Sequence, residues 1–220
     1  MMQRTPEPEV MNGLEQSEAY AQADFSEVNQ NFVDRFCDQY PDFEAGTLID
    51  LGCGPADILV RLCHQRPSVK VVGVDGSEVM IHLAKEAVEK EGLEAQIDLV
   101  CGILPGAISP DARFDAISSN SLLHHLHDPG VLWSEVSRIA KPGAPVFVMD
   151  LIRPESSEDA QRLVDTYAAN DPPVLRRDFY NSFLAAFTLD EVRAQLRDAG
   201  LEQLKVDQIS DRHMAVTGCI

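Results

Sequence analysis

The chain has 220 residues, 45% of them apolar and 25% charged, which is the balance of a globular protein long enough to bury a full core. Its 36 acidic residues against 18 basic ones give a formal charge of -18, which disfavours nucleic acid and anionic membrane surfaces, and the only short basic cluster is Arg176 with Arg177. Five cysteines, an odd number with no C-x-x-C pair, exclude a disulfide framework and a zinc knuckle; with no signal-like or membrane-spanning apolar run, a cytoplasmic protein with reduced thiols is expected.

Residues 15–43 carry Tyr20, Phe25, Phe32, Val33 and Phe36 in one or two amphipathic helices. From there the chain alternates short β-branched runs with helical ones, the mark of parallel strands joined by crossover helices. TLIDL (47–51) is the first strand, ILVRLCHQ (58–65) a helix stopped by Pro67, and VKVVGVD (69–75) the second strand. A helix over 77–93 has its apolar stripe at Val79, Met80, Leu83, Ala84, Ala87 and Val88, with Ser77 as N-cap and Gly92 as stop. Strands follow at 95–102 and 114–120, then a helix over 129–144 and a fifth strand at 145–151. The rhythm breaks at 153–187, where two helical stretches flank Asp171, Pro172 and Pro173. A capped helix at 188–201 and two closing strands, expected to be antiparallel, complete the chain.

A strand, a glycine turn and a helix present backbone N–H groups at the carboxyl edge of a parallel sheet, where such sheets bind ligands. The stretch LIDLGCGPAD (48–57) builds that edge, but Asp57 stands where a dinucleotide fingerprint has its third glycine, and Asp50 adds a second negative charge. A pyrophosphate would be repelled there, so the edge favours a cationic nucleoside. Asp57 is equally open to helix capping and to ligand contact.

These motifs carry a resemblance. LIDLGCGPAD, VVGVDGSEVM, FDAISSNSLLHHLHDP and EVSRIAKPGAPVFV, spanning roughly residues 45 to 151, resemble the first, second, fourth and fifth motifs of class I S-adenosylmethionine-dependent methyltransferases. The resemblance implies a Rossmann-like α/β fold: a seven-stranded, mostly parallel sheet with helices on both faces and a helical cap. It implies an N-terminal cap over 1–45 and a core over 46–220 that holds a cap insertion at 153–187. It further implies S-adenosylmethionine as cofactor, with Asp50, Gly52 and Gly54 at its methionine part and Asp75 at its ribose hydroxyls. Gly76 and Met80 would line the adenine slot, although Met80 equally suits core packing, and Asn120 with Ser121 would close the floor. Family members often have Gly-Asp after the third strand; here Gly102 precedes Ile103, which leaves adenine to backbone groups near Gly102 and to packing on Ile103. Tyr20 and Phe25 are candidates to face the sulfonium, where an aromatic ring favours a cation.

Methyl transfer needs alignment and exclusion of water more than a dedicated catalytic residue. A base is required when the nucleophile carries a proton, and His124, His125 and the insertion's Tyr180 are the candidate catalytic side chains. His124 and His125 are adjacent and point differently in regular structure, so no metal is expected. Arg176 and Arg177 could clamp an anionic group on a small-molecule acceptor or pair with Asp171 and Asp178. The expected protein is a monomer or homodimer that methylates a small molecule. Two rivals stay open: an NAD-dependent oxidoreductase, which shares the strand, glycine turn and Asp75, and a non-catalytic S-adenosylmethionine-binding scaffold.

Overall fold

The computed structural model describes residues 2–7 and 25–220. Seven strands form one sheet in the order β3-β2-β1-β4-β5-β7-β6. They are β1 (Ala45–Leu51), β2 (Ser68–Asp75), β3 (Ile97–Cys101), β4 (Ala116–Asn120), β5 (Pro145–Leu151), β6 (Lys205–Gln208) and β7 (His213–Cys219). The first five run parallel, while β7 is antiparallel to both β5 and β6. The order reverses at β1, so the carboxyl ends of β1 and β4 flank a topological switch point, the expected ligand crevice of such sheets.

Seven α-helices lie among the described residues. They are α1 (Ser26–Gln39), α2 (Asp57–Gln65), α3 (Glu78–Glu91), α4 (Gly130–Ile139), α5 (Ser157–Tyr167), α6 (Pro173–Ala185) and α7 (Leu189–Asp198). None is long and apolar enough to cross a membrane. Strand alternation sorts their partners. Ile49, Ile117, Val146 and Val148 point to one face, under Trp133, Val136 and Leu196 of α4 and α7, whereas Leu48, Ala116, Phe147 and Met149 point to the other, under α1, α2 and α3. On that second face Phe32 and Phe36 of α1 meet the Phe147 ring edge-on, at centroid distances of 5.0 and 6.1 Å. The described helix of the N-terminal segment is therefore a sheet-covering layer for most of its length.

Local chemistry explains the ends. Ser77 caps α3 by accepting from the Met80 N–H, and left-handed Gly92 closes it. Thr188 and Glu191 form a reciprocal capping box on α7. The helix expected over 129–144 stops at Ile139, because Ala140 leaves it to bridge Phe114 and Pro142 disfavours helical backbone at Lys141.

α5 and α6 pack on each other through Ala160, Val164, Ala168 and Phe183, a third apolar cluster apart from the two faces of the sheet. The segment 2–7 lies along this unit: the Met2 N–H donates to the Glu155 carbonyl and the Thr5 N–H to the Leu184 carbonyl. Arg4 donates to the carbonyls of Ala185, His124 and Leu126, and stacks on Phe187 with its guanidinium 4.0 Å from the ring centre.

Candidate active site

A cavity of about 600 Å3 opens at the carboxyl ends of β1, β2 and β4, within the ~300–1,000 Å3 range of small-molecule sites. Its sheet side is made by the turn after β1. Gly52, with φ +78°, could not carry a side chain, since a Cβ would stand 2.9 Å from Leu122. Gly73 in β2 serves the packing instead: a Cβ there would meet Leu59 at 2.6 Å, so its absence lets α2 lie close to the sheet. Ala56 and Ser121 adopt left-handed backbone at φ 68° and 56°, and Ser121 borders the cavity. Such conformations in residues other than glycine concentrate at binding sites.

Asp75, at the end of β2, is the anchored acid of the cavity. One carboxylate oxygen accepts from the Gly54 N–H at 2.9 Å and the other from the Ser77 N–H at 2.8 Å. Burial nevertheless raises its pKa, the two backbone donors opposing the shift. Each oxygen keeps a lone pair for a further donor, so the group is oriented to accept two hydroxyls. Gly76, Met80, Gly102, Ile103, Asn120 and Ser121 all border the same cavity. Ile103 is 59% exposed, so its side chain is open to contact from within the cavity. The oxygen of the Asn120 side chain is buried without a hydrogen-bond partner among the described residues.

Asp50 differs from expectation, for it does not border the cavity. The β1–β4 register sets it opposite Ser118, whose hydroxyl donates to it at 2.5 Å, and it is 1% exposed. Burial pushes its carboxyl up to about 7. Asp57 also lies off the cavity: it accepts from Asn29 and Arg61 and ties α1 to α2.

The opposite wall comes from the cap. Leu175, Asp178, Phe179 and Ser182 of α6 face inward at helical spacing. Tyr180, one residue and roughly 100° further round, does not line the cavity; it packs on the α5–α6 cluster. Phe25 borders the cavity, and Tyr20 lies outside the described residues. Arg176 pairs with Asp165, and Arg177 with Asp178, and neither borders the cavity. The arginines that do are Arg35 and Arg212, which no local sequence signal distinguishes.

After β4, a 3-10 turn (Leu123–His125) sets both histidines on the cavity wall, their rings 4.2 Å apart. His124 is 3% exposed and its Nδ1 lies 2.6 Å from Asp150 at the end of β5. Burial disfavours the charged imidazole, but the charge and hydrogen bond of Asp150, aided by Glu7, outweigh it and raise the His124 pKa. The Glu7 Oε1 stands 3.5 Å from both His124 Nε2 and His125 Nδ1, and accepts from the Ser182 hydroxyl at 3.0 Å. Burial raises the Glu7 pKa as well. Sequence reasoning found the histidines but missed Glu7 and Asp150, whose approach depends on long-range packing.

A family profile described as a methyltransferase domain matches residues 48–143. The 27-O-demethylrifamycin SV methyltransferase of Amycolatopsis mediterranei is 25% identical over 192 residues, 86% of this chain and 65% of the relative. The demethylmenaquinone methyltransferase of Porphyromonas gingivalis is 31% identical over 150 residues, 66% of this chain and 59% of the relative. The chain thus spans less than two thirds of the length of either. Among solved structures, a SAM-dependent methyltransferase from Aquifex aeolicus superimposes with a TM-score of 0.69 at 22% identity, over 94% of this chain and 100% of that one. The plantazolicin methyltransferase BpumL, in complex with a desmethyl-plantazolicin analogue and SAH, gives 0.70 at 15% identity, over 93% and 90%. Residues 48–143 thus match a methyltransferase domain, and most of the chain shares its fold with solved SAM-dependent methyltransferases.

Proposed function

We propose that the protein transfers the methyl group of S-adenosylmethionine to a small-molecule acceptor held between the sheet edge and the α5–α6 cap. The observation that carries this reading is Asp75: a carboxylate fixed by two backbone N–H groups beside a turn whose Gly52 leaves no room for a side chain. Its two oxygens accept the ribose hydroxyls. Gly76, Met80, Gly102 and Ile103 border the adenine, and Gly52, Gly54, Asn120 and Ser121 the methionine part, with the unpartnered Asn120 oxygen free to accept from an ammonium. Asp50 acts from behind, a buried acid that favours a cation at the strand tips.

The start of α1 and residues 153–187 cover the site, keeping water from the transfer. The acceptor meets the cluster of His124, His125 and Glu7. Its reacting atom forms a bond to the methyl carbon as the carbon–sulfur bond breaks, and that electron pair stays on sulfur as a neutral thioether. A proton released by the acceptor leaves to solvent past this cluster. An anionic part of the acceptor would face Arg35 and Arg212.

The test is incubation with S-adenosylmethionine labelled in its methyl group and a cell extract, read by mass spectrometry. A small molecule gaining the labelled methyl is expected. Its absence across extracts, with cofactor still bound, would favour a scaffold, and binding of a nicotinamide dinucleotide alone would favour an oxidoreductase.

A further inference from the structure

We propose that Glu7, His124 and His125 form a binding site for a divalent transition-metal ion, zinc foremost, with an open coordination position facing the cavity. The donor set is two imidazoles and one carboxylate, all with ligand atoms within 4.8 Å of one another. The Glu7 Oε1 is 3.5 Å from each histidine nitrogen. That is longer than the about 2.7–3.2 Å of an N–H···O hydrogen bond. It matches the separation of about 3.4 Å between two ligands of a tetrahedral zinc ion with bonds near 2.1 Å.

An independent observation supports metal ligation. His124 donates from Nδ1 to Asp150 at 2.6 Å, which fixes the tautomer and turns the Nε2 lone pair toward Glu7. A carboxylate behind the distal nitrogen is the usual outer support of a ligating histidine. Two lone pairs facing each other at this range repel unless a proton or a metal cation lies between them, and a metal would satisfy both histidines and Glu7 at once. Glu7 is held in place for the role: the Thr5 backbone and the Arg4 guanidinium fasten its segment, and Ser182 orients its carboxylate. The two histidines are adjacent in sequence and Glu7 lies far from them along the chain, so this site arises from the fold and not from a local motif. Three protein ligands and one open position are the arrangement of a zinc that polarises a bound oxygen. If the methyltransferase reading holds, an acceptor hydroxyl coordinated there loses its proton to solvent and meets the methyl group as an alkoxide.

The full chain without a histidine tag is dialysed against zinc or cobalt, and bound metal is measured by elemental analysis and by the visible absorption of cobalt. One metal per chain with a four- or five-coordinate cobalt spectrum is expected. Glu7→Gln and His125→Ala, each checked for native circular dichroism, should weaken binding at least about tenfold, and Asp150→Asn by roughly 10- to 100-fold. His64→Ala, on the surface of α2, should leave it unchanged. Substoichiometric metal, or equal affinity in Glu7→Gln and His125→Ala, overturns the site. Titration of the same samples with S-adenosylhomocysteine separates the two readings: nucleoside binding without metal sinks only this inference, and metal binding without the nucleoside sinks only the proposed function.

Discussion

Two residues at the strand tips do different work from the same turn. Gly52 is left-handed and faces Leu122, so Gly52→Ala strains the backbone and forces a side chain into it. A loss of about 1–3 kcal/mol in denaturant titration is expected, together with weaker cofactor binding. Asp50 is the titrating residue behind that turn, its carboxyl raised to about 7 by burial. Its folded pKa lies above its unfolded one, so over the interval between them the folded chain keeps a proton that the unfolded chain has lost. The stability this group supports is present below about pH 4 and is lost as pH rises to about 7. Urea midpoints should therefore show Asp50→Asn gaining on the wild type between pH 4 and pH 8; a constant difference would contradict the assignment. At this scale the sequence was readable where chain neighbours decide the local structure, as for the tight turn at Gly52 and the helix cap at Ser77. It misled where register or helix rotation decides: Asp50 is turned to Ser118 by the β1–β4 pairing, and Tyr180 is rotated away from the cavity while Phe179 is not.

Among the elements, α1 links stability to the site. Its Phe32 and Phe36 are buried on Phe147, and residues at its start, including Val28 and Asn29, border the cavity. Phe36→Ala should cost about 3–5 kcal/mol by calorimetry or denaturant, since it empties a fully buried aromatic position. A cost below about 1 kcal/mol would show that α1 is not seated on the sheet as described. The caps of α3 were legible because Ser77 and Gly92 act within one turn of the chain, and a capped start of α7 was expected at Thr188 or Asp190, of which the structure uses Thr188. The end of α4 was not, because the bridge of Ala140 to Phe114 is a tertiary contact. The role of the first residues was hidden for the same reason, as Arg4 and Glu7 find their partners only in the folded chain.

For the whole molecule, the alternation of strands and helices announced the parallel sheet, and the loss of that rhythm at 153–187 announced the α5–α6 unit that walls the cavity. Which arginines would face the ligand depended on the three-dimensional arrangement. Arg176 and Arg177 drew attention as a pair, and each meets an acid: Arg177 its expected partner Asp178, and Arg176 Asp165 in place of Asp171. The formal charge of -18 makes the folded chain repel itself. Raising sodium chloride from about 0.01 to 0.15 M shortens the Debye length from about 30 to 8 Å and should raise the melting temperature; a fall would mean that attractive pairs dominate instead. The central claim is that Asp75 holds the nucleoside of S-adenosylmethionine at the tips of β1 and β2. Calorimetric titration of S-adenosylhomocysteine into wild type and Asp75→Asn tests it most directly. The account predicts saturable one-site binding that weakens about 10- to 100-fold in the variant, as expected for losing charge-assisted hydrogen bonds. Equal affinity in the two proteins, both still folded, would contradict it.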